Sequence, residues 1–292
     1  MRLNRFNPAN IRVRGGESGR RIPGGAGGGI GLGTLVIVLI AAYFFGVDPA
    51  QMLGNIDQSG PTTQQLPDSR PAGASQSVEA LCTQNQYATE ACNALQSLNQ
   101  TWGPEFQRAN IQFEQPELVF YSGGTASGCG AAQSAMGPFY CPADEGIYID
   151  TSFYDQLARQ LGAKGDFARY YVIAHEYGHH IQKLTGVADA IRSAQQQNPV
   201  AANQLQVRME LQADCYAGVW AGKNRNLIDP GDFEEGMTAA SAIGDDTLMR
   251  NAGRRVDTDS FTHGSSAQRM QALREGMQSG SASACSHYVR LT

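Results

Sequence analysis

Five residues, His175-Glu176-Tyr177-Gly178-His179, constrain this chain more than any other stretch. They sit in YYVIAHEYGHHIQK, from Tyr170 to Lys183, a segment with helical periodicity. Positions i and i+4 share one helix face, so the two imidazoles can grip one metal ion. Glu176 stands beside them, placed to activate a bound water. Val172, Ile173, Ala174 and Ile181 surround these groups with apolar side chains. Ionisable groups in such a helix are costly to bury unless partners hold them. A helix that carries metal ligands into the core resolves that cost. Gly178 inside it costs about 1 kcal/mol relative to Ala. Close approach of a substrate and plain tight packing explain it equally well. His180 points about 100° away from His179 and reads as structural.

Two histidines leave a zinc ion short of a ligand. A metzincin would place Gly at 182 and His at 185; Gln182 and Thr185 exclude that class. Downstream, VRMELQADCYAGVW, from Val207 to Trp220, puts Glu210 and Asp214 at i and i+4 on another predicted helix. Leu211, Ala213, Ala217, Val219 and Trp220 leave those acids little solvated face. Glu210 is therefore expected as the third ligand, with Asp189 and Glu234 as the alternatives. Asp214 is expected to hold the non-metal nitrogen of a ligand histidine and fix its tautomer. Phe261 to Arg269, FTHGSSAQR, opens the final helix. His263 and Arg269 are candidates to donate hydrogen bonds to an oxyanion. Ser265 or Ser266 fits an N-cap.

Charge is unevenly spread. Residues 1–29 carry Arg2, Arg5, Arg12, Arg14, Arg20 and Arg21 against Glu17, a net +5. The whole chain is −5, so the remainder is −10. Such an acidic body argues against nucleic acid as a partner. Ile30 to Val47, IGLGTLVIVLIAAYFFGV, is 18 residues without a charge. As a helix it would span about 27 Å, near the thickness of a bilayer core. With all six arginines before it, the run is expected to be a single-pass, uncleaved anchor in the inner membrane. The N-terminus would then be cytoplasmic and the body periplasmic. Residues 48–77 are rich in Gln, Ser, Pro, Gly and Thr and read as a flexible tether. The expected organisation is thus a basic Gly-rich tail over 1–29, a transmembrane helix over 30–47, a linker over 48–77 and a folded domain over 78–292. Six cysteines, all after the apolar run, suit disulfides in an oxidising compartment. The expected pairs are Cys82–Cys92, Cys129–Cys141 and Cys215–Cys285.

Within the body, residues 78–109 have helical spacing, broken near Gly103-Pro104. Glu117 to Tyr121 reads as a strand, and so do Pro138 to Cys141 and Gly146 to Asp150. Helices follow over about 151–162, 167–184, 187–197, 201–223, 231–243 and 265–279. A small antiparallel or mixed sheet before a mostly helical remainder makes the class α+β.

H-E-x-x-H with a later E-x-x-x-D resembles the gluzincin metallopeptidases. T-H-G-x-x-x-x-R, from Thr262, resembles the T-H-P-x-x-x-x-R segment of membrane-linked zinc peptidases, with Gly264 in place of their proline. More closely, the chain resembles the bacterial "putative neutral zinc metallopeptidase" family. The shared stretches are Gly128 to Gly130, Gly137 to Asp144, Ile147 to Asp150, Val172 to His180, Met209 to Cys215, Ser241 to Asp246 and Phe261 to Arg269, with the Gly-rich anchor and its GVDP exit, Gly46 to Pro49. The resemblance implies a zincin-like domain on a membrane anchor, with one zinc ion per chain and a peptide or protein substrate. It implies hydrolysis with Glu176 as general base, zinc on His175, His179 and Glu210, and an oxyanion donor in His263 or Arg269. By analogy with zincins, Ile147, Tyr148 and Ile149 are the candidate substrate edge. The alternative is a catalytically silent scaffold on the same fold.

Overall fold

The computed structural model describes residues 1–16 and 76–291. The proposed anchor over 30–47 and nearly all of the tether lie outside these residues. Among the described residues no helix is long and apolar enough to cross a membrane.

Four strands form a mixed sheet: β1 (Arg12–Gly15), β2 (Glu117–Phe120), β6 (Gly146–Ile149) and β5 (Phe139–Cys141), in that spatial order. β1, β2 and β6 run parallel, and β5 is antiparallel to β6. Parallel strands covered on both faces read as continuous apolar runs. Leu118, Val119, Ile147, Tyr148 and Ile149 fit that description, each 0% exposed. A separate hairpin pairs β3 (Gly124–Ser127) with β4 (Gly130–Gln133).

The helices are α1 (Val78–Cys82), α2 (Gln86–Arg108), α3 (Phe153–Gln160), α4 (Asp166–Leu184), α5 (Val187–Gln197), α6 (Ala202–Lys223), α7 (Asp232–Ala242), α8 (Asp245–Asn251) and α9 (Ser266–Ser279). A run of 3-10 turns over Ala282–Val289 follows. α6 is buried along most of its length and packs on both α4 and α9. Its close crossing with α9 uses glycines on both sides. A Cβ on Gly276 would lie 2.0 Å from the Cys215 carbonyl oxygen, and one on Gly218 would lie 2.1 Å from that of Leu273. Cys215–Cys285 clamps the end of the chain onto α6, Cys82–Cys92 joins α1 to α2, and Cys129–Cys141 ties the hairpin to β5. These are the three expected pairs.

Three expectations are corrected. The first helical stretch does not break at Gly103-Pro104, which lies inside α2. The break falls at 83–85, where the Asn85 side chain accepts from the Ala88 amide and restarts the helix. The tail expected over 1–29, apart from the folded domain over 78–292, is part of that domain over its first sixteen residues: β1 belongs to the sheet of the body, and Phe6, Ile11 and Val13 are buried in the main core. Finally, Ile147, Tyr148 and Ile149 are not an edge. β2 flanks β6 on one side and β5 on the other, so β5 is the outer strand.

Candidate metal centre

α4 and α6 approach closely because Gly178 faces Ala213. A Cβ there would lie 2.8 Å from the Ala213 Cα and 2.9 Å from its carbonyl oxygen. Helix packing, which sequence alone left level with substrate access, thus requires this glycine. The close crossing brings the two polar pairs together. His175, His179 and Glu210 each offer a ligand atom, and these atoms lie within 4.8 Å of one another. His175 Nε2 is 3.1 Å from Glu210 Oε2, and His179 Nε2 is 3.5 Å from the same oxygen.

The other ring nitrogens have partners that settle the tautomers. His175 Nδ1 faces Asp214 Oδ1 at 2.7 Å and donates to it, because a carboxylate only accepts. His179 Nδ1 faces Gln182 Oε1 at 2.9 Å. The Gln182 amide cannot be flipped, since its Nε2 donates to the Met209 carbonyl at 2.8 Å. In the neutral rings the Nε2 lone pairs would therefore be the ones turned toward Glu210. Gln206 Nε2 donates to Glu210 Oε1 at 2.9 Å, so that Oε2 is the oxygen left for a metal. Gln182 and Gln206 have no motif of their own. The only signal for them is their spacing, three residues after His179 and four before Glu210.

Arg269 is not at the open side of this centre. It is 2% exposed and lies behind His175, donating from Nε to Asp214 Oδ2 at 2.8 Å and from Nη2 to Oδ1 at 3.0 Å. The Tyr171 hydroxyl completes the set, donating to Asp214 Oδ1 at 2.6 Å. With its donors turned inward, Arg269 cannot serve an oxyanion; it holds a buried carboxylate in its charged form. Burial alone would raise the Asp214 pKa, but Arg269 and then His175 outweigh it and bring it to about 2. Burial would likewise lower His175, yet Asp214 raises it to about 10. Burial opposes ionisation of Glu210 as well, but the two imidazoles, with a smaller contribution from His263, hold it well below the ordinary carboxylate range.

Glu176 is 8% exposed, and no hydrogen bond to another described residue occupies its carboxylate. Glu176, Glu210 and Asp214 against Arg269 leave the pocket with a net charge of −2 when the histidines are neutral. That charge, two imidazole nitrogens that offer lone pairs once deprotonated, and the Glu210 Oε2 that faces them suit a zinc ion with an open fourth position. The alternative third ligands do not reach it. Glu234 is exposed, and exposed Asp189 pairs with Lys183 at 3.6 Å.

His263 sits on a loop built by Asp245. Asp245 Oδ2 accepts from the amides of Thr262, His263 and Gly264 at 2.7, 2.7 and 3.0 Å, and Oδ1 lies 3.3 Å from His263 Nδ1. Gly264 has φ +92°, which a proline, locked near about −65°, cannot adopt. Ser265 caps α9 through the Gln268 amide. On the far side of α4, His180 Nε2 donates to the Glu114 carbonyl at 2.8 Å, while Nδ1 accepts from the Tyr140 hydroxyl at 3.0 Å. His180 thus pins β5 against the helix and stays neutral, its pKa lowered by burial to about 4.

A second acidic group, Asp166, Asp232 and Glu235, also gathers ligand atoms. The Met1 ammonium fills it, 3.1 Å from Asp166 and 2.9 Å from Asp232.

The pattern of the family described as "Putative neutral zinc metallopeptidase" matches residues 2–288. The chain belongs to that family. Its match takes in β1 as well as the helices that carry the centre. Among the relatives is the uncharacterized protein YpfJ of Escherichia coli, 44% identical over 277 residues that cover 94% of this chain and 90% of that one. The uncharacterized protein Rv2575 of Mycobacterium tuberculosis is 41% identical over 186 residues, 59% of this chain and 62% of its own. No solved structure matches the chain.

Proposed function

We propose that this member of the family is a zinc-dependent endopeptidase, working in an oxidising compartment and held at a membrane through residues 30–47. One observation carries the catalytic reading. Two Nε2 atoms of histidines held at Nδ1 meet Glu210, while no hydrogen bond to another described residue occupies the neighbouring Glu176 carboxylate. A zinc ion held by His175, His179 and Glu210 would supply Lewis acidity, drawing the pKa of its water toward about 7 and polarising the scissile carbonyl. Glu176 takes the proton of the attacking water and passes it to the leaving amine. His263, its Nδ1 held between the Thr262 hydroxyl at 3.0 Å and Asp245 Oδ1 at 3.3 Å, donates to the oxyanion from Nε2 when that nitrogen carries a proton. Asp214 and Gln182 hold the two imidazoles in their ligating tautomers. An extended substrate would pair with the outer edge of β5, which lies against α4. Three disulfides favour the oxidising compartment, and the 18 uncharged residues favour membrane contact.

The deciding comparison is wild type against Glu176→Gln, with zinc content and cleavage of an unstructured protein measured together. The expected result is one zinc per chain in both and cleavage only in wild type. A variant that cleaves at the wild-type rate rejects the base. A wild-type chain that holds zinc and cleaves nothing supports the silent scaffold instead.

A further inference from the structure

Residues 1–16 were expected on the opposite side of a membrane from residues 78–292. Their contacts say otherwise. β1 pairs with β2 along its whole length, Arg12 with Glu117 through Gly15 with Phe120. Met1, Phe6, Ile11 and Val13 are 3–8% exposed within the main core. The Phe6 amide donates to Asn93 Oδ1 at 2.9 Å, and the Asn7 amide to Gln96 Oε1 at 2.6 Å. The Gly16 amide donates to the Phe120 carbonyl at 2.7 Å, and a Cβ on Gly16 would strike Tyr121 at 2.7 Å.

The arginines tell the same story. The orientation expected from sequence rested on six cytoplasmic arginines, but four of them have partners in the body. Arg2 pairs with Asp229 at 2.8 Å, Arg5 with Glu79 at 2.8 Å and Arg14 with Glu117 at 2.6 Å. Arg12 donates to the Gln115 carbonyl at 3.0 Å. Only Arg20 and Arg21 remain before the apolar run, with Glu17 against them. The basic charge is thus explained by docking on an acidic domain rather than by retention at a cytoplasmic face. One surface cavity, moreover, is lined by both Gly16 and Gln76, the residues that flank 17–75.

We propose that residues 1–16 and 76–291 are one domain that lies on one side of the membrane. A strand cannot pair through a hydrocarbon layer of about 30 Å.

Two measurements on the full chain test this. All six native cysteines are in disulfides, so an added thiol can be read alone. Asn4→Cys and Val200→Cys, both at exposed positions, are treated with a membrane-impermeant maleimide in cells whose inner membrane is intact. The expected result is the same behaviour at both sites, labelled together or protected together until lysis. Labelling of one with protection of the other overturns the proposal. Val13→Asp then tests docking itself, since Val13 is buried between β1 and the core. Docking predicts a melting temperature about 5 °C lower or more in the purified chain. An unchanged melting temperature overturns it.

Discussion

Asp214 Oδ1 lies 2.7 Å from His175 Nδ1, and the same carboxylate takes two donors from Arg269. The His175 nitrogen that would face zinc is therefore set from behind, by a charge pair with no access to solvent. Asp214→Asn should weaken zinc affinity by about 10–100-fold while leaving the three ligands in place. Arg269→Met should act differently. It strands a buried carboxylate and should cost about 3–5 kcal/mol in stability. Chelator competition checks the first variant and urea unfolding the second. An Arg269→Met protein as stable as wild type would refute the buried-pair account.

The same pair sets a pH dependence for the metal-free protein. His175, raised to about 10, stabilises the fold fully below the ordinary imidazole range, and this contribution is lost as pH rises through about 10. Asp214, lowered to about 2, contributes above the ordinary carboxylate range and fails as pH falls through about 2. The metal-free protein should thus be most stable between about pH 4 and 6.5. Zinc must displace a proton from His175, so its affinity should keep climbing with pH well above 7. In Asp214→Asn the climb should level off earlier. Metal titrations across pH 6 to 10 read both slopes; identical profiles would dismiss the coupling.

The residues of the candidate site were legible because each pair is local: His175 with His179, and Glu210 with Asp214, repeat at one helical turn on apolar segments. Arg269 was legible as a polar residue beside the site but not in its role. Which face of α9 it occupies depends on how α9 crosses α6, and that depends on glycines at 218 and 276. Gln182 and Gln206 escaped because an amide carries no charge cost that demands a partner. β1 was hidden by composition: RVRG has one large apolar residue, and its arginines resemble a membrane flank. The strand order was hidden too. β5 and β6 are both apolar, and only tertiary pairing decides which one is the edge.

Gly178 offers a test of packing against propensity. In an exposed helix, Gly→Ala would gain about 1 kcal/mol. Here the new methyl would press on the Ala213 backbone, which has no rotamer to yield. Gly178→Ala should therefore be destabilising, by about 1–3 kcal/mol, and should loosen zinc by parting α4 from α6. Urea unfolding with and without zinc checks it. A stabilised variant would mean the two helices are free to separate.

Asp245 and His263 separate loop geometry from chemistry. Asp245 holds three consecutive amides and the His263 ring, and the imidazole and amides outweigh burial to keep its carboxyl below the ordinary range. His263→Ala removes only the imidazole; the backbone bonds to Asp245 remain. It should lower kcat about 100- to 1,000-fold, as loss of an oxyanion donor does, with zinc content and melting temperature unchanged. Asp245→Asn keeps the side-chain shape but replaces one acceptor oxygen with a donor. It should lower kcat as well, by letting the His263 ring turn, and should also lower the melting temperature because buried amides lose their charged acceptor. Steady-state kinetics on both variants, alongside zinc analysis, distinguish the roles. If His263→Ala retained full kcat, the oxyanion donor would have to be sought elsewhere in the cleft, and the Asp245 loop would be a packing device only.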